Sequence, residues 1–248
     1  MLFRSCYPLP DKTTESAVVA LKHFLHGSTC QLLHTDASPE LASAARLLNI
    51  PHATSPPGRP QANGVIERQV RHVCEGARCI MHAAGVPERF WNYAVQHFCH
   101  ASNVLLGVPE ASAWEARHGE QWSGQLYPFG CLVHVKPNDA AAALLPKFAV
   151  RAVPAVFLSW HMQPGHKWDG QVCVAPLAQF ENESLAPGSF TKAPRTWLTQ
   201  EVFLPKGDIS FPLKARYDHA RLSLPPLLVP PSSVVLDSLP GMRTAEPT

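Results

Sequence analysis

Six apolar residues, Ile66, Val70, Val73, Ala77, Ile80 and Ala84, recur at steps of four, three, four, three and four. That period is one face of an α-helix, so the stretch must be helical and must bury the stripe against something. Asn63 precedes it as a plausible N-cap and Gly85 follows as a stop. A second helix is expected from about Glu88 to Leu105, with Phe90, Trp91, Ala94, Val95, Phe98 and Ala101 as its apolar face. The two helices are expected to pack on each other.

Upstream, the apolar run Leu2, Phe3, Cys6 and Tyr7 reads as a short strand stopped by Pro8. Ala17, Val18, Leu21, Phe24 and Leu25 then mark a helix from Thr13 to His26, capped by Thr13 or Thr14 and ended by Gly27. Cys30 to Leu33 reads as a buried strand that leaves Asp36 at its carboxyl end. A short helix (Leu41 to Leu48), a strand (Ile50 to Ala53) and a proline-rich loop (Thr54 to Gln61) complete the approach to the long helix. After Val108, tryptophans punctuate short apolar runs such as Cys131 to Val135 and Val153 to Trp160, the texture of a small β-rich module. Six of the 25 prolines fall within the last 25 residues, which predicts an extended tail.

With 46% hydrophobic residues in 248, the chain is not a wholly disordered protein. No apolar run approaches the ~20 residues needed to span a bilayer, and Pro8 and Pro10 interrupt the opening before a signal-like region develops. An intracellular protein with no membrane partner is expected. Seven cysteines, an odd number without a Cys-x-x-Cys pair, fit reduced thiols better than a disulfide framework.

The net charge is only +2, yet five arginines against three glutamates lie between Arg59 and Arg89. Glu67, Arg71, Arg78 and His82 share one helical stripe away from the apolar one. Arginines there suit phosphate, with Gln61 and Asn63 in the preceding loop; a solvated face laced with Glu–Arg pairs accounts for the same charges. Asp36 at a strand end and Glu67 at a helix start are candidates to converge on a divalent cation, while Asp36 as a turn or helix cap is the competing assignment. His23, His26, Cys30 and His34, and likewise His97, Cys99 and His100, lack the paired spacing of a zinc knuckle. Neither a phosphate-binding glycine loop nor a Gly-x-Ser-x-Gly elbow occurs.

Residues 32 to 103 carry an ordered set of matches: Thr35-Asp36, Ile50, His52, Pro57, Pro60, Gln61, Asn63, Gly64, Glu67, Arg68, Ala77-Arg78 and Phe90-Trp91. This segment resembles the integrase catalytic core of copia-type retrotransposon polyproteins. LYPFGCLVHV (126 to 135) resembles the Phe-Gly-Cys strand that opens the small β-barrel after that core, and Lys147 to Trp160 its continuation. The resemblance implies an α/β fold: an RNase H-like core over 1–107, a linker over 108–125, an SH3-like β-barrel over 126–204 and a proline-rich tail over 205–248. It implies DNA integration by Mg2+- or Mn2+-dependent polynucleotidyl transfer, with Asp36 and Glu67 as catalytic metal ligands. DNA, at element ends and target, is the implied partner of Arg59, Gln61, Asn63, Arg68, Arg71 and Arg78. A nuclear location follows if the chain acts as an integrase, and self-association is left open.

Two departures shape the expectation. The family's first catalytic aspartate lies upstream of the matched segment, and Asp11 aligns with a turn, so the core is expected to be amino-terminally truncated and inactive alone. Asp36 and Glu67 are 31 residues apart, a few fewer than in the family, with the shortening just after Asp36. A non-catalytic DNA-binding or interaction protein derived from a retroelement is the alternative reading.

Overall fold

The computed structural model describes residues 2–55, 64–105, 111–136, 148, 152–186 and 194–223. The loop residues Arg59, Gln61 and Asn63 lie outside the described residues, as do the prolines of 224–248.

The chain opens with an irregular segment in place of the expected strand at 2–8, and helix α1 (Thr14–Leu25) follows. Thr13 is its cap, its hydroxyl oxygen accepting from the Ser16 amide at 3.2 Å. Strand β1 (Leu33–Thr35), helix α2 (Pro39–Leu47) and strand β2 (His52–Thr54) form a small parallel unit, with Leu33 opposite His52 and Thr35 opposite Thr54. β1 sits three residues later than the sequence suggests, which leaves Asp36 immediately beyond its end.

Helices α3 (Gly64–Ala84) and α4 (Trp91–Val104) pack on each other, and Gly76 leaves room for Phe98: a Cβ there would lie 2.2 Å from the Phe98 ring. The α3 stripe is only half covered. Ala77, Met81 and Ala84 are buried, whereas Ile66 and Val70 are 55% and 57% exposed. Trp91, expected on the buried face of α4, is also exposed. Gly85 ends α3 at φ +69°, and a side chain there would meet the Lys214 backbone at 2.6 Å.

Within 108–125, read as linker, Ser112 caps a short helix, α5 (Ala113–His118), and Trp114 is buried. Strands β3 (Leu132–Val135), β4 (Val153–Gln163), β5 (Lys167–Pro176), β6 (Trp197–Thr199) and β7 (Val202–Phe203) form an antiparallel sheet in the order β6-β5-β4-β3-β7. The two edge strands are consecutive in the chain, joined by Gln200 and Glu201. Laid flat, five strands would hold their edges about 19 Å apart, more than the ~11 Å that this connection spans. The sheet is therefore curled, and β4 bends through register shifts between Phe157 and Ser159 and between Trp160 and Met162.

That curl explains the unbroken apolar run of β4. Ala155, Phe157 and Trp160 face the inside of the sheet with Cys131, Val133 and Val174. Val156 and Leu158 face outward, against Ala84, Phe90, Ala94 and Val95 of the helical layer. Both faces are buried, so alternation disappears from the sequence.

The expected tail from 205 onward is corrected over residues 210–222. Ser210 O accepts from Leu132 N at 2.8 Å, Phe211 packs on both core clusters, and helix α6 (Lys214–Leu222) docks on the end of α3. Leu213 and Tyr217 are its buried anchors, and Lys214 Nζ donates to His82 O at 3.1 Å. Among the described residues, no helix is long and apolar enough to cross a membrane.

Candidate functional site

β1 delivers Thr35 and Asp36 to one end of the small parallel unit. Three-residue strands pair weakly on their own, and side chains reinforce this pair. Thr35 Oγ1 lies 2.8 Å from His52 Nε2, and His34 Nε2 lies 3.0 Å from Ser55 Oγ. The Thr35 hydroxyl donates to Asp36 O at 2.7 Å, so it accepts from His52, which places the His52 proton on Nε2. Asp36 Oδ1 accepts from the Ser38 amide at 3.2 Å, a turn that leads into α2. That bond uses one carboxylate oxygen and leaves the exposed Oδ2 without a partner among the described residues.

Glu67 occupies the first turn of α3 and is exposed. Asp36 and Glu67 line the same cavity, of about 510 Å³, whose wall also includes His34, Thr35, Leu41, Ile66, Val70 and Arg71. The half of the α3 stripe that the core leaves uncovered thus forms the apolar side of this cavity, and two carboxylates with one guanidinium form the polar side. Among the described residues no set of three or more histidine, cysteine or acidic side chains is placed to hold a metal ion. Asp11 is elsewhere: its carboxylate accepts from Thr13 Oγ1 at 2.8 Å and Ser16 Oγ at 2.6 Å and caps α1.

Arg68, Arg71 and Arg78 are exposed on α3. The ion pairs of the described residues join Arg89 to Glu183, Lys136 to Glu201 and Lys214 to Asp218, so no Glu–Arg pair ties down this helix face. His82, at the far end of the same stripe, is engaged structurally with the Tyr217 ring and Arg221. His34 and Leu41 went unrecognised in the sequence reading of the site. His34 directly precedes the Thr-Asp pair, but nothing in its spacing marks it as a cavity residue.

No family model matches the chain. Over 116 residues, 45% of its length, it is 34% identical to the retrovirus-related Pol polyprotein from transposon TNT 1-94 of Nicotiana tabacum, covering 8% of that protein. It is 44% identical over 56 residues, 23% of the chain, to the Pol polyprotein from transposon RE2 of Arabidopsis thaliana, covering 4% of it. The corresponding RE1 protein of the same plant is 42% identical over 45 residues, 18% of the chain and 3% of that protein. Among solved structures, a cryoEM structure of a simian T-cell lymphotropic virus intasome in complex with PP2A regulatory subunit B56 gamma aligns over 79% of this chain and 66% of that one. Its sequence identity is 18% and its TM-score 0.36, too loose a superposition to define a shared fold. The chain spans less than a tenth of the plant polyproteins it matches. These matches and the ordered motif agree: part of the chain is similar to a short segment of the retrovirus-related Pol polyproteins of plant transposons.

Proposed function

We propose that the chain is part of a copia-type integrase, with an RNase H-like core and an SH3-like barrel, and that its ancestral activity is DNA integration. The observation that carries this reading is the shared cavity of Asp36 and Glu67. Two carboxylates are hard oxygen donors, the set that Mg2+ or Mn2+ prefers. When bound, such a cation activates an attacking oxygen and stabilises a leaving one in phosphoryl transfer. Arg71, one helical turn from Glu67 and in the same cavity, would hold a phosphate oxygen of DNA. Arg68 and Arg78 would extend that contact along α3, with Arg59, Gln61 and Asn63 contributing from the preceding loop.

Two carboxylates fall short of a complete two-ion site, so the 248 residues by themselves are expected to bind DNA without joining it. The second reading is a non-catalytic DNA-binding or interaction protein derived from a retroelement, which the exposed Arg68, Arg71 and Arg78 of α3 suit. One assay separates them: the purified chain is incubated with duplex DNA carrying the ends of a related element, in Mn2+. Both readings predict binding that weakens steeply with salt, because counterion release drives it. If Asp36→Asn and Glu67→Gln leave both the affinity and its Mn2+ dependence unchanged, the non-catalytic reading stands. A change in Mn2+-dependent binding supports the integrase reading. Salt-insensitive, base-specific binding would defeat both, and robust Glu67-dependent joining would defeat the expectation of inactivity.

A further inference from the structure

We propose that a second cavity, which shares no lining residue with that of Asp36 and Glu67, is a nucleotide site that takes an uncharged base beside Gln96 and Tyr93 and a phosphate on Arg4. The cavity is about 450 Å³ and lies where the amino-terminal segment and α1 meet α4 and the curled sheet. That volume is ordinary for a small-molecule site.

Its lining has a consistent electrostatic character. No aspartate or glutamate contributes to it. Burial drives the His100 imidazole down to about 3 and His166 to about 4, so both are neutral near pH 7. Burial also pushes the thiols of Cys99 and Cys173 up to about 12 and about 11, which keeps them protonated. The cavity thus offers a cation neither a carboxylate nor a thiolate, and no group of three or more ligating side chains among the described residues is placed to hold a metal.

The remaining polar groups define what it accepts. The side chains of Gln96 and Ser159 line it and have no hydrogen-bond partner among the described residues, although Ser159 is buried. A carboxamide presents a donor beside an acceptor, the pattern that matches the edge of a base such as adenine. Tyr93, a partly buried member of the lining, supplies aromatic wall for a planar ring. Arg4 is the one arginine or lysine of the lining, and no carboxylate of the described residues pairs with it. Its backbone is held on both sides by Asn103, and its Nε donates to Gln69 Oε1 at 2.9 Å. The guanidinium is thereby fixed while its terminal N–H groups keep no partner among the described residues. A phosphate oxygen is the natural acceptor for them.

Titration of the full chain with adenosine 5′-monophosphate in EDTA, read by tryptophan fluorescence and by protection of Cys6 from alkylation, tests this without involving the carboxylate pair. Saturable binding near or below about 1 mM is expected. Gln96→Leu should weaken it about tenfold, while Arg4→Gln should erase the advantage of the monophosphate over adenosine. Val19 lines the cavity and is 65% exposed, so Val19→Trp should block the site without unfolding the chain. Asp36→Asn/Glu67→Gln should bind the nucleotide as the parent chain does, which keeps this outcome separate from the metal reading. Competition by a short single-stranded oligonucleotide would identify the base as one drawn from a strand, and its absence a free nucleotide; either supports the site. No saturation up to about 10 mM, equal binding of inorganic phosphate, or indifference to both Gln96→Leu and Val19→Trp would overturn it.

Discussion

Asn103 grips Arg4 by its backbone from both sides: Arg4 N donates to Asn103 Oδ1 at 2.8 Å, and Asn103 Nδ2 donates to Arg4 O at 2.7 Å. One buried carboxamide, 1% exposed, thus does for the amino-terminal segment what a neighbouring strand would do. Asn103→Leu keeps the branched shape but strands two backbone groups beside a bulkier, apolar side chain. A loss of about 2–3 kcal/mol is expected in urea unfolding, with faster proteolysis of residues 2–9. An unchanged midpoint would mean that the clamp contributes nothing.

Gly130 joins the helical layer to the curled sheet. Its φ is +76°, and a Cβ there would lie 2.4 Å from Ala84 Cβ and 2.8 Å from Val86 Cγ2. Gly130→Ala combines left-handed strain with overpacking of a buried contact, so a cost of about 3 kcal/mol is expected in thermal or denaturant unfolding. A stable Gly130→Ala variant would show that the layers separate more easily than their packing implies.

Acid should unfold the protein through its buried imidazoles. Burial holds His97 and His166 down at about 4 and His100 at about 3, and the bond from His97 Nε2 to Tyr127 O opposes this only in part. In the unfolded chain these groups titrate near 6.5. As pH falls from about 6.5 toward 4, the unfolded state takes up protons that the folded state refuses, and stability is lost. Each of the three contributes a slope of up to about 1.4 kcal/mol per pH unit in that window. Urea midpoints measured from pH 7 to pH 4 should fall steadily, and His97→Gln should flatten the slope by roughly one histidine's share. A flat profile above pH 4.5 would contradict the burial of these rings.

The spacing of Ile66 to Ala84 marks a helix and its apolar face, and the structure has that helix; periodicity carries no information on what covers the face, and Ile66 and Val70 are left exposed. The Thr13 cap and the Gly85 stop were legible because each acts within a single turn. The Asn103 clamp was not, since its partner lies 99 residues away. Helix α6 was missed because only Leu213 and Tyr217 anchor an otherwise polar stretch beside a proline-rich one. At the candidate site, strand-end and helix-start logic drew attention to Asp36 and Glu67, while His34 and Leu41 became visible only with the cavity.

Asp36 and Glu67 are proposed to hold one cation between them. Mn2+ binding to the full chain, followed by water-proton relaxation, tests it most directly. Weak binding is expected that Asp36→Asn and Glu67→Gln each reduce about tenfold, with the double variant losing little more than either single one, because removing either carboxylate already breaks a shared chelate. Retention of the parent affinity in either single variant, or independent additive losses, would contradict it.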